Sequence, residues 1–178
     1  MINILKKEFE KKVTELGYIF SNHREGFYIL QVENGGDQLK SIQLIGSQPS
    51  KELLHHSKNG NDIQVVGVFK IKLPPDGQEP DLFIFNFGHP FKKQAEYLII
   101  PKEEFKRRFL NKNLGYNLGK RVEIVFWLMP DGCVYNTTHL SPEGEWYFLS
   151  KGTNGRMADE TDMNYTMFLN SWRNMMLR

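Results

Sequence analysis

The chain has 178 residues, with 23 Lys and Arg against 21 Asp and Glu and a formal net charge of +2. Its 40% hydrophobic and 13% aromatic content excludes a disordered chain, which would have too little to bury. The single cysteine, Cys133, excludes an internal disulfide and a multi-cysteine metal cluster.

In chain order, residues 2–16 read as an amphipathic helix. Ile2, Leu5, Phe9, Val13 and Leu16 recur at steps of three and four, and Gly17 suits the C-cap. Residues 26–33 and 38–46 are β-rich runs around Asn34-Gly35-Gly36-Asp37, which is hairpin-turn chemistry. Residues 50–58 form a short helix candidate after Pro49. Residues 63–73, 82–87 and 97–100 read as strands, the first broken by Pro74-Pro75-Asp76-Gly77. Pro101 stands at a helix start, with Glu103 and Glu104 in the first turn and Lys106, Arg107 and Arg108 beyond it. Residues 121–129 form a strand that Pro130-Asp131-Gly132 turns into residues 133–137. Residues 145–149 are a further strand candidate, 152–159 a loop. Residues 162–177 read as a closing helix with Phe168, Trp172, Met175 and Met176 on one side.

The expected fold is α/β or α+β, with a central mixed β-sheet flanked by helices in one domain over residues 1–178. No apolar run approaches the roughly 20 residues of a membrane helix. The first residues are charged from Lys6 on, unlike a signal peptide, so a soluble cytoplasmic protein is expected, with no membrane partner.

Most catalytic signatures are absent: there is no GxxxxGK[ST], GxGxxG, GxSxG or HExxH. His55 and His56 are adjacent, about 100° apart on a helix, and a metal is not easily shared that way. His23, His89 and His139 have no ligand spacing. Cys133 opens a strand, where a buried structural thiol is expected. A literal PD…ExK string does occur, as Pro80-Asp81 and Glu104-Phe105-Lys106. Metal-dependent nucleases need the two carboxylates together on Mg²⁺ with the Lys near the attacking water. Here Glu104 and Lys106 fall on a helix, where residues two apart point to different sides.

Read as elements, the first half resembles the PD-(D/E)xK nuclease superfamily, the restriction-endonuclease-like fold. The matching pieces are Leu16-Gly17-Tyr18 at the helix end, the strand around Tyr28-Ile29-Leu30-Gln31-Val32, and Ile42-Gln43-Leu44-Ile45-Gly46-Ser47. Leu82 to Phe87 and Glu96-Tyr97-Leu98-Ile99-Ile100-Pro101 follow in the family's order. The resemblance implies a nuclease-like core over residues 1–111 and a C-terminal extension, residues 112–178, packed on the same domain. It also places the family's catalytic Asp at Tyr28, its Gln or Glu at Gln43 and its Lys at Ile45. A Tyr and an Ile hold neither Mg²⁺ nor water. The resemblance therefore implies a nuclease fold without the nuclease site. Gln38-Leu39-Lys40 is an alternative QxK with no acidic partner inside the preceding strand.

Charge is unevenly spread. Residues 92–121 carry nine Lys and Arg against three Glu, a net +6, between stretches of net −1 and −3. Such a segment can track a phosphate backbone, and its simpler reading is a solvated helix face with cations near the C-terminal end. Lys92, Lys93, Lys102, Lys106, Arg107, Arg108 and Lys112 are the nucleic-acid-binding candidates. The expected function is a non-catalytic nuclease-like domain that binds DNA or a partner protein, with no metal and no cofactor. The alternatives are an active Mg²⁺-dependent endonuclease with a migrated site, and an interaction or inhibitor module that ignores nucleic acid.

Overall fold

A computed structural model describes residues 2–24, 26–32, 39–49, 63, 65–75, 77–87, 95–110, 121–138 and 163–175. The expectations at 50–58, 145–149 and 152–159 lie outside these.

The chain opens with α1 (Ile2–Glu15), held along its wet side by Lys6–Glu10 and Lys11–Glu15 pairs one turn apart. Gly17 ends it at φ +80°, a left-handed conformation in which only glycine is unstrained. Then come β1 (Tyr18–Arg24), β2 (Phe27–Val32), β3 (Leu39–Gly46), the two-residue β4 (Gln48–Pro49), β5 (Val65–Lys72), β6 (Leu82–Phe87) and β7 (Glu96–Pro101). As expected, Pro101 leads into a helix. This is α2 (Lys102–Phe105), and it continues as a π-helical turn over Lys106–Leu110. β8 (Arg121–Leu128) and β9 (Val134–Asn136) lie on either side of the Pro130-Asp131-Gly132 turn.

The class is mixed α/β, as expected, but the strands divide between two sheets. One has the order β1-β2-β3-β6-β7, antiparallel except for the parallel β3–β6 pair; the other is antiparallel, β4-β5-β8-β9. β1 and the second sheet were not foreseen. β1 reads YIFSNHR, too polar for an apolar-run criterion. β5 and β8 pair along their whole length although far apart in sequence, which no local pattern encodes.

Alternation decides what each strand face meets. On the first sheet, Tyr28, Leu30, Ile42, Ile84 and Ile99 meet Phe9 and Val13 of α1. On its other side, Ile45, Phe83, Phe85, Leu98 and Ile100 meet Phe69, Ile71, Ile124 and Phe126 of the second sheet. This inter-sheet core is mostly aromatic: Phe69 stands edge-on to Phe85, Phe87 and Phe126 with centroids 5.1–5.9 Å apart. Gly67 makes room for it, since a Cβ there would lie 2.5 Å from the Phe69 ring.

The closing helix expected over 162–177 is corrected. Met163 to Met175 is a strap with two short 3₁₀ turns, Thr166–Phe168 and Trp172–Met175. Its backbone serves the sheet edges instead of a helix. Asn136 N–H donates to the Met163 carbonyl, and Tyr165 N–H to that of Val134, along β9. Leu169 bridges Leu98 on β7, and Asn170 accepts from Tyr97 N–H through its side chain. Asn170 sits at φ +48°, which Asn tolerates better than most residues. The strap thus covers β9 and β7, edges that would otherwise template strand addition. Tyr165 and Phe168 enter the inter-sheet core, and Met175 the α1 core.

Candidate functional site

The three positions that the resemblance assigns to catalytic residues are not brought together. Tyr28 pairs with Ile42 and Phe27 with Gln43 across the β2–β3 register. Residues directly opposite share a face, so Tyr28 lies on the α1 face while Gln43 and Ile45 lie on the other. Tyr28 is 1% exposed and packs against Phe9 and Phe20. Burial, then the nearby Glu10 carboxylate, pushes its hydroxyl up to about 12, so it stays protonated at neutral pH. Ile45 belongs to the inter-sheet core and Gln43 is 8% exposed.

The literal PD…ExK string is also spent on structure. Asp81 accepts hydrogen bonds from the Ser41 N–H and hydroxyl, both at 2.8 Å, joining the start of β6 to β3. The Glu104 carboxylate accepts from Arg107 at 2.9 Å and Arg108 at 3.0 Å, and these bonds hold it below the usual carboxylate range. Lys106 reaches Glu79 at 3.1 Å. Lys40, of the alternative QxK, donates to the Asn174 carbonyl on the α1 side, and burial lowers its pKa against an opposing pull from Asp81. Among the described residues, no group of three or more His, Cys, Asp and Glu is placed to hold a metal ion. Cys133 is buried and its thiol pushed up by that burial, which fits the structural role expected of it.

Of the seven candidate cations, Lys92, Lys93 and Lys112 lie outside the described residues. Lys102 and Lys106 are half-buried and Arg107 exposed. Arg108 is corrected as a surface contact. It is 7% exposed, with its guanidinium 4.8 Å from the Tyr165 ring centre and 5.1 Å from that of Phe168. Nη1 donates to the Asn164 carbonyl at 2.8 Å. Arg108 therefore ties α2 to the strap, because the π-helical turn swings it inward beside Phe109.

Two further surface features were not anticipated. A cleft of about 440 Å³ between α1 and the strap is lined by Glu8, Lys11, Lys12, Glu15, Tyr97 and Trp172. Its cations are matched by Glu15, at 3.9 Å from Lys11 and 3.8 Å from Lys12. Burial, then Glu8, holds the Tyr97 hydroxyl up at about 12, so it offers neither a base nor a nucleophile at neutral pH. The second feature is a concavity of about 430 Å³ at the end of β5 and β8, lined by Lys70, Ile71, Lys72, Arg121, Val122 and Glu123. The alternation in VFKIKL and RVEIVF could have pointed to these four charges sharing a face, but only with the β5–β8 register in hand.

Among the described residues, no helix is long and apolar enough to cross a membrane. In comparisons with known proteins, no family model, no curated protein and no solved structure matches this chain.

Proposed function

We propose that this chain is a nuclease-like domain of the PD-(D/E)xK type that has lost its catalytic site and acts by binding nucleic acid. The observation that carries the reading is the division of Tyr28 from Gln43 and Ile45 between two faces of one sheet. A metal-dependent nuclease needs its carboxylates and Lys converging on one ion and one water. The pieces that carry the resemblance fall at the end of α1 and on β2, β3, β6 and β7, in that chain order. The binding half of the reading rests on the net +6 of residues 92–121, of which Arg107 is exposed and Lys102 and Lys106 half-buried along α2 and its π-helical turn. The test is binding of a short DNA duplex at several salt concentrations. Binding should weaken with salt and fall when Lys102 and Arg107 become Glu; binding indifferent to both overturns the reading.

A second reading, a protein-interaction module, has one observation in its favour. Ile19 pairs with Gln31 and Gln31 with Leu39, so the three form a row across β1, β2 and β3. Ile19 is 53% exposed and Leu39 60% exposed. Exposed apolar side chains in register mark an interaction surface when they join into a patch. This reading gains if proteins co-purifying with the native chain are released by Ile19→Asp and Leu39→Asp, and it falls if none is.

A further inference from the structure

We propose that Lys72 and Arg121 form a phosphate-binding site at the open end of the second sheet, with a phosphate oxyanion as their shared counter-charge. On the outer face of β5 and β8, Lys70 lies opposite Glu123, and Lys72 lies opposite Arg121. The first pair is complementary, with Nζ and Oε2 3.9 Å apart. The second is two cations facing each other, an arrangement that destabilises a strand pair. Both are exposed, and neither has an ion pair among the described residues. Among the described residues, Glu123 is the one carboxylate lining the concavity, and Lys70 engages it.

An anion set between the two cations would turn this repulsion into attraction on both sides. Directly opposed side chains start roughly 5 Å apart at Cβ, close enough to converge on one group. The guanidinium offers a planar fork that fits two oxygens of a phosphate, and the ammonium adds rotatable donors from the opposite strand. A carboxylate has only two oxygens for both partners, whereas a phosphate has more and a larger charge. The concavity, at about 430 Å³, is of a size that small ligands fill. Behind it, Val122 and Ile124 lie with Leu73, Phe105 and Phe109 beneath α2. The site thus sits at the same end of the molecule as Lys106 and Arg107.

The inference goes beyond the proposed function, because a phosphate can reach this site as a free anion or as part of a nucleic-acid backbone. The experiment therefore uses the full chain and two probes, inorganic pyrophosphate and a 12-base-pair DNA duplex, each titrated calorimetrically. The variants are Lys72→Gln/Arg121→Gln and, as a charge-matched control on α1, Lys11→Gln/Lys12→Gln. The first pair should weaken at least one probe by about tenfold or more, the size of a lost charged hydrogen bond. On the duplex, it should also reduce the slope of log affinity against log salt by about 1 to 2, as one or two backbone phosphates are no longer neutralised. A response with pyrophosphate alone supports a free-anion site while the nucleic-acid reading fails. A response with the duplex alone supports a backbone contact. Both substituted side chains are exposed and their mutual repulsion is removed, so the urea midpoint should hold or rise slightly, which separates lost binding from lost fold. The site is overturned if the wild-type chain binds neither probe at low salt, if the Lys72/Arg121 variant binds both unchanged, or if the α1 control loses as much.

Discussion

Two groups of cations end up at one end of the molecule, and they differ in what faces them. Around α2 the charges are compensated: Lys106 meets Glu79, while Arg107 and Arg108 share Glu104. At the end of β5 and β8, Lys72 meets Arg121. The stretch richest in positive charge along the chain is thus in part a structural joint. The opposed pair, whose Arg121 closes that same stretch and whose Lys72 lies outside it, has no ion-pair partner among the described residues. Charge counted along a chain becomes charge presented at a surface only after register and helix phase have chosen its neighbours.

Removing the most buried cation should break the comparison most visibly. Arg108→Met leaves Glu104 with one fewer partner and the Asn164 carbonyl without its donor. We expect a loss of about 2 kcal/mol, held below the usual cost of splitting a buried pair because Glu104 is partly solvated. Urea unfolding measures it. Duplex affinity, compared at equal folded fraction, should not change, since this Arg is not at the surface; a selective loss of affinity would place it in the interface after all.

A smaller effect separates the α1 face from the cation end. Tyr28 and Tyr97 both have hydroxyls raised from the ordinary 10 to about 12. Folding therefore holds their protons more tightly than the unfolded chain does. The stability this contributes is present below pH 10 and is lost as pH rises from 10 through 12. Replacing Tyr28 with Phe should flatten that alkaline decline, seen in unfolding midpoints across this range. An unchanged decline would show that Tyr28 ionises as freely folded as unfolded.

The smallest change sharpens the contrast directly. Arg121→Glu converts the opposed Lys72–Arg121 pair into a complementary one, and should raise stability by about 0.2–1 kcal/mol. It should do so while abolishing the phosphate site. Lower stability would mean that the two cations do not repel across the register, and that Arg121 makes a favourable contact of another kind.

Much of the fold was legible because its signals are local. The three- and four-residue spacing of Phe9 and Val13 marks α1, and the apolar runs at 82–87 and 97–100 mark two strands buried on both faces. Pro101 is where its fixed φ puts it, at the start of α2. The strap misled because Phe168, Trp172 and Met175 do fall at helical spacing, yet they enter two different cores. Asn164 and Asn170 were the overlooked signal. The Asn164 side chain accepts from Thr166 N–H two residues on, a local bond that competes with a helix, and Asn170 takes a left-handed φ of +48° while its side chain accepts from Tyr97 N–H on β7. At the candidate site, burying Tyr28 and Ile45 agrees with their residue types, but which face each takes depends on strand register. Arg108 could not be told from Arg107 by sequence, because one helical step separates a buried cation from a solvated one.

The most direct test of a nuclease-like domain that binds without cutting is one gel. The chain is incubated with supercoiled plasmid in Mg²⁺ and, separately, in Mn²⁺, and run with and without added salt. The account predicts a retarded band that returns to free, supercoiled plasmid at high salt, in both metals. Nicked or linear plasmid in either metal would contradict it, as that product requires converging carboxylates and a lysine, which Tyr28, Gln43 and Ile45 do not supply and whose positions the β2–β3 register divides between two faces.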